Sequence, residues 1–246
     1  MVSGNFVFDF GNQSSNEYKS FAKYVNPETN KPYSSEYIKN NIAQLEYGYT
    51  PKFDQTLFYS LEKESFLSHD ECDYLVNLAT LQNNWLDEGQ TMFFWGDRTV
   101  PLINLVDNAD DKEYTKKLVL KIHDELKVLF RNKFVCGQEI FCDQIGVVRW
   151  PVGSWQMPHV DQVTNLNRIC GSVIYLNDDY EGGKTFYPFF DKAMKPLKGK
   201  MFAHSPDNEH FHGVTKIGKC TRYTITSTWS TTLDVQPYAD LVNKLR

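Results

Sequence analysis

The sequence predicts a mainly β protein with flanking helices, built on a double-stranded β-helix (jelly-roll) core. Three observations predict this fold: two segments with helical periodicity before about Lys133, short runs rich in Thr, Ile, Val and aromatic residues beyond it, and turn signals between those runs as far as Trp229. The chain has 246 residues, of which 41% are hydrophobic, so it can bury a sizeable core.

A domain boundary is predicted near residue 55. Residues 1–55 are polar and rich in Tyr, Asn, Ser and Pro, and we interpret them as an extension of unknown role ahead of a domain spanning 56–246. Residues 57–67 are predicted to form a strand, and the capping box Ser68-x-x-Glu71 then opens a helix. The apolar face of this helix consists of Cys72, Leu75, Val76 and Ala79.

A second helix is predicted over residues 110–133. Residues 85–106, which lie between the two helices, are expected to form strands joined by a loop, and residues 238–246 are expected to form a terminal helix. The second helix is indicated by apolar residues at helical spacing, namely Tyr114, Leu118, Ile122, Leu126 and Leu129.

Two histidines and an aspartate carry the strongest chemical signal. His159 and Asp161 form an H-x-D motif, and His212 follows 51 residues after Asp161. On a strand, residues i and i+2 point to the same face, so His159 and Asp161 are predicted to ligate one ion together. Two imidazoles and one carboxylate form the facial triad that holds non-haem Fe(II) while leaving coordination positions open. An anionic, chelating co-substrate would match the remaining positive charge and those open positions.

Two other histidines compete with His212 for the role of third ligand. His210 would lie two residues upstream on the same face, and His204 is expected to border a loop. The sequence favours His212 because of its HGV context and the arginine ten residues later, Arg222.

Arg222 is predicted to bind a carboxylate. It precedes the run from Tyr223 to Trp229, which is dense in Thr, Ile and aromatic residues and therefore strand-like. A guanidinium that points inward from such a strand is costly to bury unless it is paired. Because its fork matches a carboxylate, iron at one end and Arg222 at the other suit a small dicarboxylate.

With these motifs the chain resembles the Fe(II)/2-oxoglutarate dioxygenases, specifically their prolyl-4-hydroxylase branch. The resemblance covers about residues 57–232. An H-x-D motif alone is common by chance, whereas H-x-D, a Gly-Gly-x-Thr turn, HGV and a basic residue ten positions later, in that order, form a specific signal. The segments that carry the resemblance are FLSHDECDYLVNLA, PHVD, YLNDDYEGGKTFYP and HGV with Arg222.

The resemblance implies cofactors and further site residues. It implies Fe(II), 2-oxoglutarate and O2, with ascorbate as a further candidate, and hydroxylation is expected because Asp161 is present where halogenating relatives lack the carboxylate. It also implies that Tyr175 and Thr185 help Arg222 to hold 2-oxoglutarate. Nine residues before His159, where many members carry a tyrosine that reaches the co-substrate, this chain has Trp150. The pocket is therefore expected to differ in shape at this point.

The resemblance also suggests a substrate, namely prolyl residues in a peptide or protein. Arg168 matches in spacing an arginine that borders the peptide in oxygen-sensing prolyl hydroxylases, and it is alternatively a solvated strand start. Trp95 and Trp155 are candidates for the rim of a peptide groove, although large aromatic residues are more often part of a core.

Composition bears on the alternative functions. The net charge is −5 and the pI about 5.7, which disfavours a nucleic-acid partner. A demethylase of alkylated nucleic acid uses the same triad, but it is expected to have a basic groove and a second arginine soon after the first. A hydroxylase of a free amino acid or other small molecule stays open, as does a non-catalytic jelly-roll binding module that retains the site.

The sequence also gives expectations about location. It contains no apolar run of about 18 residues, and its N-terminus lacks the basic and apolar regions of a signal peptide, so no membrane partner is expected. Five scattered cysteines without a C-x-x-C motif favour reduced, mostly buried thiols. Together these features predict a cytoplasmic protein, and the sequence does not indicate its oligomeric state.

Overall fold

The structure of this chain, a computed structural model, has the predicted fold class: antiparallel β-sheets flanked by α-helices. The antiparallel pairing brings strands that are distant in sequence side by side, as a jelly roll requires. The structure describes residues 25–26, 31–32, 55–82, 98–161, 166–190, 192–232, 242 and 245.

Two α-helices lie within the described residues. The first, α1, spans His69–Thr80 and begins with the predicted capping box, because Ser68 Oγ accepts from the Glu71 backbone N–H at 3.1 Å and Glu71 accepts from the Ser68 N–H at 2.9 Å. The second, α2, spans Lys112–Phe134, and its first turn is capped by Asp111. Residues from both helices pack against the larger sheet, including Leu75, Ala79, Leu118, Ile122, Leu126 and Phe130.

Fourteen strands are described, and they form two principal sheets and two short pairs. In chain order the strands are β1 (Val25–Asn26), β2 (Lys31–Pro32), β3 (Ser60–Lys63), β4 (Thr99–Pro101), β5 (Phe141–Trp150), β6 (Gln156–His159), β7 (Arg168–Tyr175), β8 (Glu181–Gly182), β9 (Thr185–Tyr187), β10 (Lys192–Met194), β11 (Met201–His204), β12 (His212–Val214), β13 (Ile217–Gly218) and β14 (Arg222–Ser230).

The two principal sheets create the interior in which the site lies. The larger has the order β3-β11-β7-β14-β5-β4, and the smaller has the order β10-β9-β12-β6. An apolar cluster joins residues from both sheets, since Val173, Tyr175 and Phe202 of the larger sheet pack with Tyr187 and Met194 of the smaller. Side chains that point inward from either sheet therefore share one enclosed space.

Some predicted elements are shorter than expected. The strand predicted over residues 57–67 is limited to β3, because a 3-10 turn (Gln55–Leu57) precedes it and Ser65, with φ 50°, ends it in a turn. Only Thr99–Pro101 of the region 85–106 forms a described strand, and a 3-10 helix (Leu102–Leu105) follows it.

Other expectations fall outside the described residues. These are the role of residues 1–55, Trp95 and most of the terminal helix, and the domain division at residue 55 remains a prediction.

All five cysteines are free, with Cys72, Cys142 and Cys170 buried. In the part of the chain that the structure describes, no helix is both long and apolar enough to cross a membrane.

Candidate metal centre and co-substrate pocket

His159 and His212 face each other on adjacent strands. His159 is the last residue of β6 and His212 the first residue of β12, and the antiparallel register pairs them directly. Residues that are paired in this way have neighbouring Cβ atoms on the same face of the sheet. Their imidazole rings accordingly lie with centroids 4.4 Å apart.

Asp161 completes the cluster from a position that the sequence did not predict. The strand β6 ends at His159, so the i, i+2 alternation of a strand does not place the carboxylate. Instead the chain turns after the strand, and Arg168 Nη1 donates a hydrogen bond to the Asp161 carbonyl oxygen at 2.5 Å. The two side chains nevertheless lie as close together as was predicted for ligands of one ion, since Asp161 Oδ1 is 3.3 Å from His159 Nε2.

The three side chains can hold one divalent metal ion. One potential ligand atom from each of His159, Asp161 and His212 lies within 4.8 Å of the other two. Donors about 2.1 Å from a shared ion, at right angles to each other, would be about 3 Å apart. The observed separations of 3.3 Å and 3.9 Å from Asp161 Oδ1 to the two imidazoles need only a small adjustment. Two imidazoles and a carboxylate are a ligand set that suits non-haem Fe(II).

The environment keeps these ligands in the protonation states that a metal requires. Burial lowers the pKa of His212 well below its usual value, and the neighbouring His204 and His159 lower it further. For Asp161, burial alone would raise the pKa, but the surrounding histidines outweigh it and hold the pKa of the carboxyl below its usual range. At neutral pH the site therefore presents a neutral imidazole and an ionised carboxylate.

Hydrogen bonds to the chain distinguish His212 from its neighbour His210. His212 Nδ1 lies 2.9 Å from the His210 carbonyl oxygen and donates to it, which leaves Nε2 as the metal-facing lone pair. Both nitrogens of His210 are engaged elsewhere, because Nε2 accepts from the Tyr59 backbone N–H at 2.9 Å and Nδ1 donates to Asp207 at 2.6 Å. Of these two histidines, His212 is the one whose Nε2 faces the cluster.

His204 borders a loop, as expected, because it is the last residue of β11. Nothing in the sequence indicated, however, that its side chain is only 5% exposed and faces the candidate metal centre. Its Nδ1 donates to the Ser205 carbonyl oxygen, while its Nε2 faces Asp161 Oδ2 at 3.8 Å. The ring centroid lies 4.3 Å from that of His212. A third imidazole thus borders the candidate metal centre, and no sequence motif marks it.

Gly171 on β7 makes room for the Asp161 carboxylate. A Cβ atom at this position would lie 2.2 Å from Asp161 Oδ2 and 3.4 Å from His204 Nε2. Contacts at 2.2 Å do not occur between real side chains, so any other residue would displace the carboxylate. The sequence reading did not identify this glycine, because its requirement arises from a contact between distant segments.

We expect Gly171→Ala to weaken metal binding by more than about 10-fold, since the added methyl group would push Asp161 away from the two histidines. The affinity for Fe(II) can be measured by anaerobic titration against a competing chelator. Gly218→Ala provides the control, because Gly218 lies on β13 and its added Cβ would meet Glu181 rather than the site. Equal metal affinity in Gly171→Ala and the native protein would show that Asp161 is not a ligand in this geometry.

Arg222 lies in the interior, and two of its nitrogens have no partner among the residues that the structure describes. It begins β14, is 1% exposed, and its Nε and Nη1 atoms have no hydrogen-bond partner in the described part of the chain. The guanidinium carbon lies 4.9 Å from the ring centroid of Trp150 and 5.6 Å from that of Tyr175. A buried cation is costly unless an anion pairs with it. The arrangement is therefore suited to receive a carboxylate.

The other predicted pocket residues surround Arg222. Tyr175 is fully buried, and its hydroxyl lies 3.5 Å from Thr185 Oγ1. Trp150 is paired with Arg222 in the β5–β14 register, and its indole N–H donates to Thr224 Oγ1 at 3.3 Å. Trp150 thus packs against the guanidinium as a cation–π neighbour, with its N–H directed to the sheet. Whether these residues contact 2-oxoglutarate remains a prediction.

Two features near Arg222 complete this end of the pocket. Gly182 and Gly183 have φ 68° and 60°, as the turn predicted from the sequence requires, and a Cβ at Gly183 would lie 3.0 Å from Arg222 Cδ. Tyr180, which the sequence analysis did not identify, is buried nearby. Burial raises the pKa of its phenol to about 12, although the Arg222 charge acts in the opposite direction.

The predicted substrate-binding residues have different outcomes. Arg168 is the first residue of β7, and its largely buried guanidinium contacts the Asp161 carbonyl oxygen and Asp143, 3.5 Å away. Trp155 is 2% exposed and belongs to the interior, so the expectation that it rims an open groove is wrong for this conformation. Trp95 lies outside the described residues, and a contact of Arg168 with substrate stays a prediction.

Comparison with known proteins agrees with the site chemistry. Residues 145–230, which include the His159, Asp161, His212 and Arg222 positions, match the 2OG-Fe(II) oxygenase superfamily. No curated protein sequence gives a significant match to the chain.

Several solved structures share the fold. A viral collagen prolyl hydroxylase from Paramecium Bursaria Chlorella virus-1, solved as a 2-oxoglutarate complex, is 18% identical, with a TM-score of 0.52 over 72% of this chain and 98% of that one. A prolyl hydroxylase from Trichoplax adhaerens, bound to a peptide fragment of hypoxia inducible factor, is 17% identical, with a TM-score of 0.56 over 74% and 89%. A Pseudomonas putida prolyl-4-hydroxylase is 15% identical, with a TM-score of 0.50 over 73% and 96%.

Proposed function

We propose that this chain, whose residues 145–230 belong to the 2OG-Fe(II) oxygenase superfamily, hydroxylates prolyl residues in a peptide or protein. The chain is a 2-oxoglutarate-dependent dioxygenase that uses Fe(II), 2-oxoglutarate and O2. The observation that carries the residue assignments is the buried guanidinium of Arg222, two of whose nitrogens have no hydrogen-bond partner among the described residues. It shares one interior with the cluster of His159, Asp161 and His212.

The residues fit these cofactors in charge and in chemical type. We assign His159, Asp161 and His212 as the ligands of Fe(II), because together they offer two neutral nitrogens and one anionic oxygen. Two buried N–H groups of Arg222 lack an acceptor in the part of the chain that the structure describes, so this residue is assigned to the far carboxylate of 2-oxoglutarate. The ring of Tyr175 lies 5.6 Å from the guanidinium carbon, and its hydroxyl is 3.5 Å from that of Thr185, so both residues are assigned to the same carboxylate.

The reaction balances as substrate C–H, 2-oxoglutarate and O2 giving substrate C–OH, succinate and CO2. Fe(II) together with 2-oxoglutarate supplies the oxidising chemistry when both are bound. The protein's own contribution is to position and to exclude water. His212 is fixed by its bond to the His210 carbonyl oxygen, Asp161 by Arg168 and the space at Gly171, and Arg222 by its packing on Trp150.

The choice of a prolyl substrate is supported by the solved structures that share the fold. All three are named as prolyl hydroxylases, and the Trichoplax adhaerens protein is bound to a peptide. Each is below 20% identity to this chain, so the likeness supports the proposal through the fold alone. A proline-containing peptide is therefore the class of substrate that we propose.

The proposal is tested by incubating the purified full chain with Fe(II), 2-oxoglutarate, ascorbate and a pool of proline-containing peptides. We expect peptide-stimulated succinate formation and a gain of one oxygen atom on a proline, located by tandem mass spectrometry. A matched pool with alanine in place of proline is the control. Equal stimulation by the two pools, or turnover that responds only to free amino acids, would contradict prolyl hydroxylation while leaving the dioxygenase chemistry in place.

A further inference from the structure

The hydroxyl of Tyr187 is among the interior polar groups that the assignments above do not use. Tyr187 is the last residue of β9 and is fully buried. Its hydroxyl has no hydrogen-bond partner among the residues that the structure describes. Leaving a buried donor without an acceptor destabilises a folded protein, so such a group calls for an explanation.

The position of Tyr187 relates it to the metal end of the pocket. Its ring centroid lies 5.5 Å from that of His212 and 5.4 Å from that of His204. Thr185 lies two residues earlier on the same face of β9, and its hydroxyl is the one beside Tyr175. Two successive inward side chains of β9 thus reach from the surroundings of Arg222 to those of His212.

The phenol of Tyr187 can act as a hydrogen-bond donor. The ordinary pKa of a tyrosine is about 10, so its hydroxyl keeps its proton at neutral pH. A protonated phenol in this environment needs an acceptor oxygen, and both carboxylates and the keto group of 2-oxoglutarate are acceptors only.

We propose that the Tyr187 hydroxyl donates a hydrogen bond to bound 2-oxoglutarate at the end of the molecule beside the candidate metal centre. Arg222 and Tyr187 would then hold the co-substrate from its two ends, one by charge and one by a single directed hydrogen bond. This inference rests on the proposed function in that it takes 2-oxoglutarate as the bound co-substrate. It adds a co-substrate-binding residue that the sequence reading did not assign.

The test compares the full-length native protein with Tyr187→Phe in two measurements. The first is the melting temperature without metal or 2-oxoglutarate, and the second is the 2-oxoglutarate affinity of the Mn(II)-loaded protein, measured by calorimetry under anaerobic conditions. We expect Tyr187→Phe to melt at the same temperature or higher, because the substitution removes an unsatisfied donor. We expect its affinity for 2-oxoglutarate to fall about 10-fold, as for the loss of a hydrogen bond to a charged group.

Tyr223→Phe is the matched control, because Tyr223 lies on β14 beside Arg149 and is half-buried away from the metal centre. Its affinity for 2-oxoglutarate is expected to equal that of the native protein. Unchanged affinity in Tyr187→Phe would overturn the inference, and so would a lowered melting temperature, which would indicate a structural hydrogen bond. Native protein that fails to bind 2-oxoglutarate would instead contradict the proposed function, so the two failures are distinguishable.

Discussion

Replacing Asp161 with alanine is expected to lower Fe(II) affinity by more than about 100-fold and to abolish Fe(II)-dependent succinate formation. Asp161 supplies the only anionic donor of the cluster, and its Oδ1 atom faces both candidate imidazole ligands, at 3.3 Å and 3.9 Å. Without it, two neutral imidazoles would have to hold a divalent cation in a largely buried site. That environment penalises uncompensated charge.

The measurement is an anaerobic Fe(II) titration, followed by succinate analysis in air. Asp110→Ala serves as the control, because Asp110 is an exposed carboxylate just before α2. The control variant should bind Fe(II) and form succinate like the native protein. If Asp161→Ala bound Fe(II) with native affinity, the assignment of the carboxylate ligand would be wrong, whatever the activity.

Replacing Arg222 with methionine is expected to weaken 2-oxoglutarate binding by about 100-fold or more, as when one partner of a buried, hydrogen-bonded charge pair is removed. Methionine preserves much of the side-chain volume between Trp150 and Tyr175 but removes the charge. Because two nitrogens of Arg222 have no partner in the described structure, the ligand-free variant should be at least as stable as the native protein.

Two readouts check this prediction: the dissociation constant for 2-oxoglutarate and the rise in melting temperature that 2-oxoglutarate produces. Arg222→Lys should lie between methionine and the native protein, since lysine retains the charge but not the bidentate fork. Arg131→Met, at an exposed position of α2, is the control for losing an arginine. Native 2-oxoglutarate affinity in Arg222→Met would show that the carboxylate binds elsewhere.

Both predictions follow from how the two sheets face each other. The smaller sheet brings His159 and His212 together by direct strand pairing, while β14 of the larger sheet delivers Arg222. Tyr175, in the strand next to β14, packs in the same cluster as Tyr187 of the smaller sheet. The fold thereby places a metal-binding end and a carboxylate-binding end within one enclosed interior.

Much of this arrangement could be predicted from the sequence because it depends on local patterns. The capping box of Ser68 and Glu71, the α2 periodicity and the positive-φ glycines at 182 and 183 each depend on a few neighbouring residues, and each is confirmed. The prediction that His159, Asp161 and His212 lie together is also confirmed, because the types and the order of these residues form a specific pattern in the sequence. Their roles as ligands remain assignments that the experiments above test.

What the sequence did not reveal depends on contacts between distant segments. His204 lies 43 positions from Asp161 and no motif marks it, yet β11 places it 3.8 Å from that carboxylate. Gly171 matters only because the Asp161 turn passes over it, and Arg168 supports that same turn. The burial of Trp155 could not be decided from the sequence, because an aromatic residue has the same appearance there whether it lines a groove or fills a core.

The central claim, that the cluster binds Fe(II) and the same interior binds 2-oxoglutarate, is tested most directly by an anaerobic visible spectrum. Chelation of protein-bound Fe(II) by 2-oxoglutarate gives a weak metal-to-ligand charge-transfer band. We predict that the band appears only when Fe(II) and 2-oxoglutarate are both present, is absent in Asp161→Ala, and requires more 2-oxoglutarate in Arg222→Met. Folded native protein that gives no band with both components would contradict the claim and favour a binding module that retains only the residues of the site.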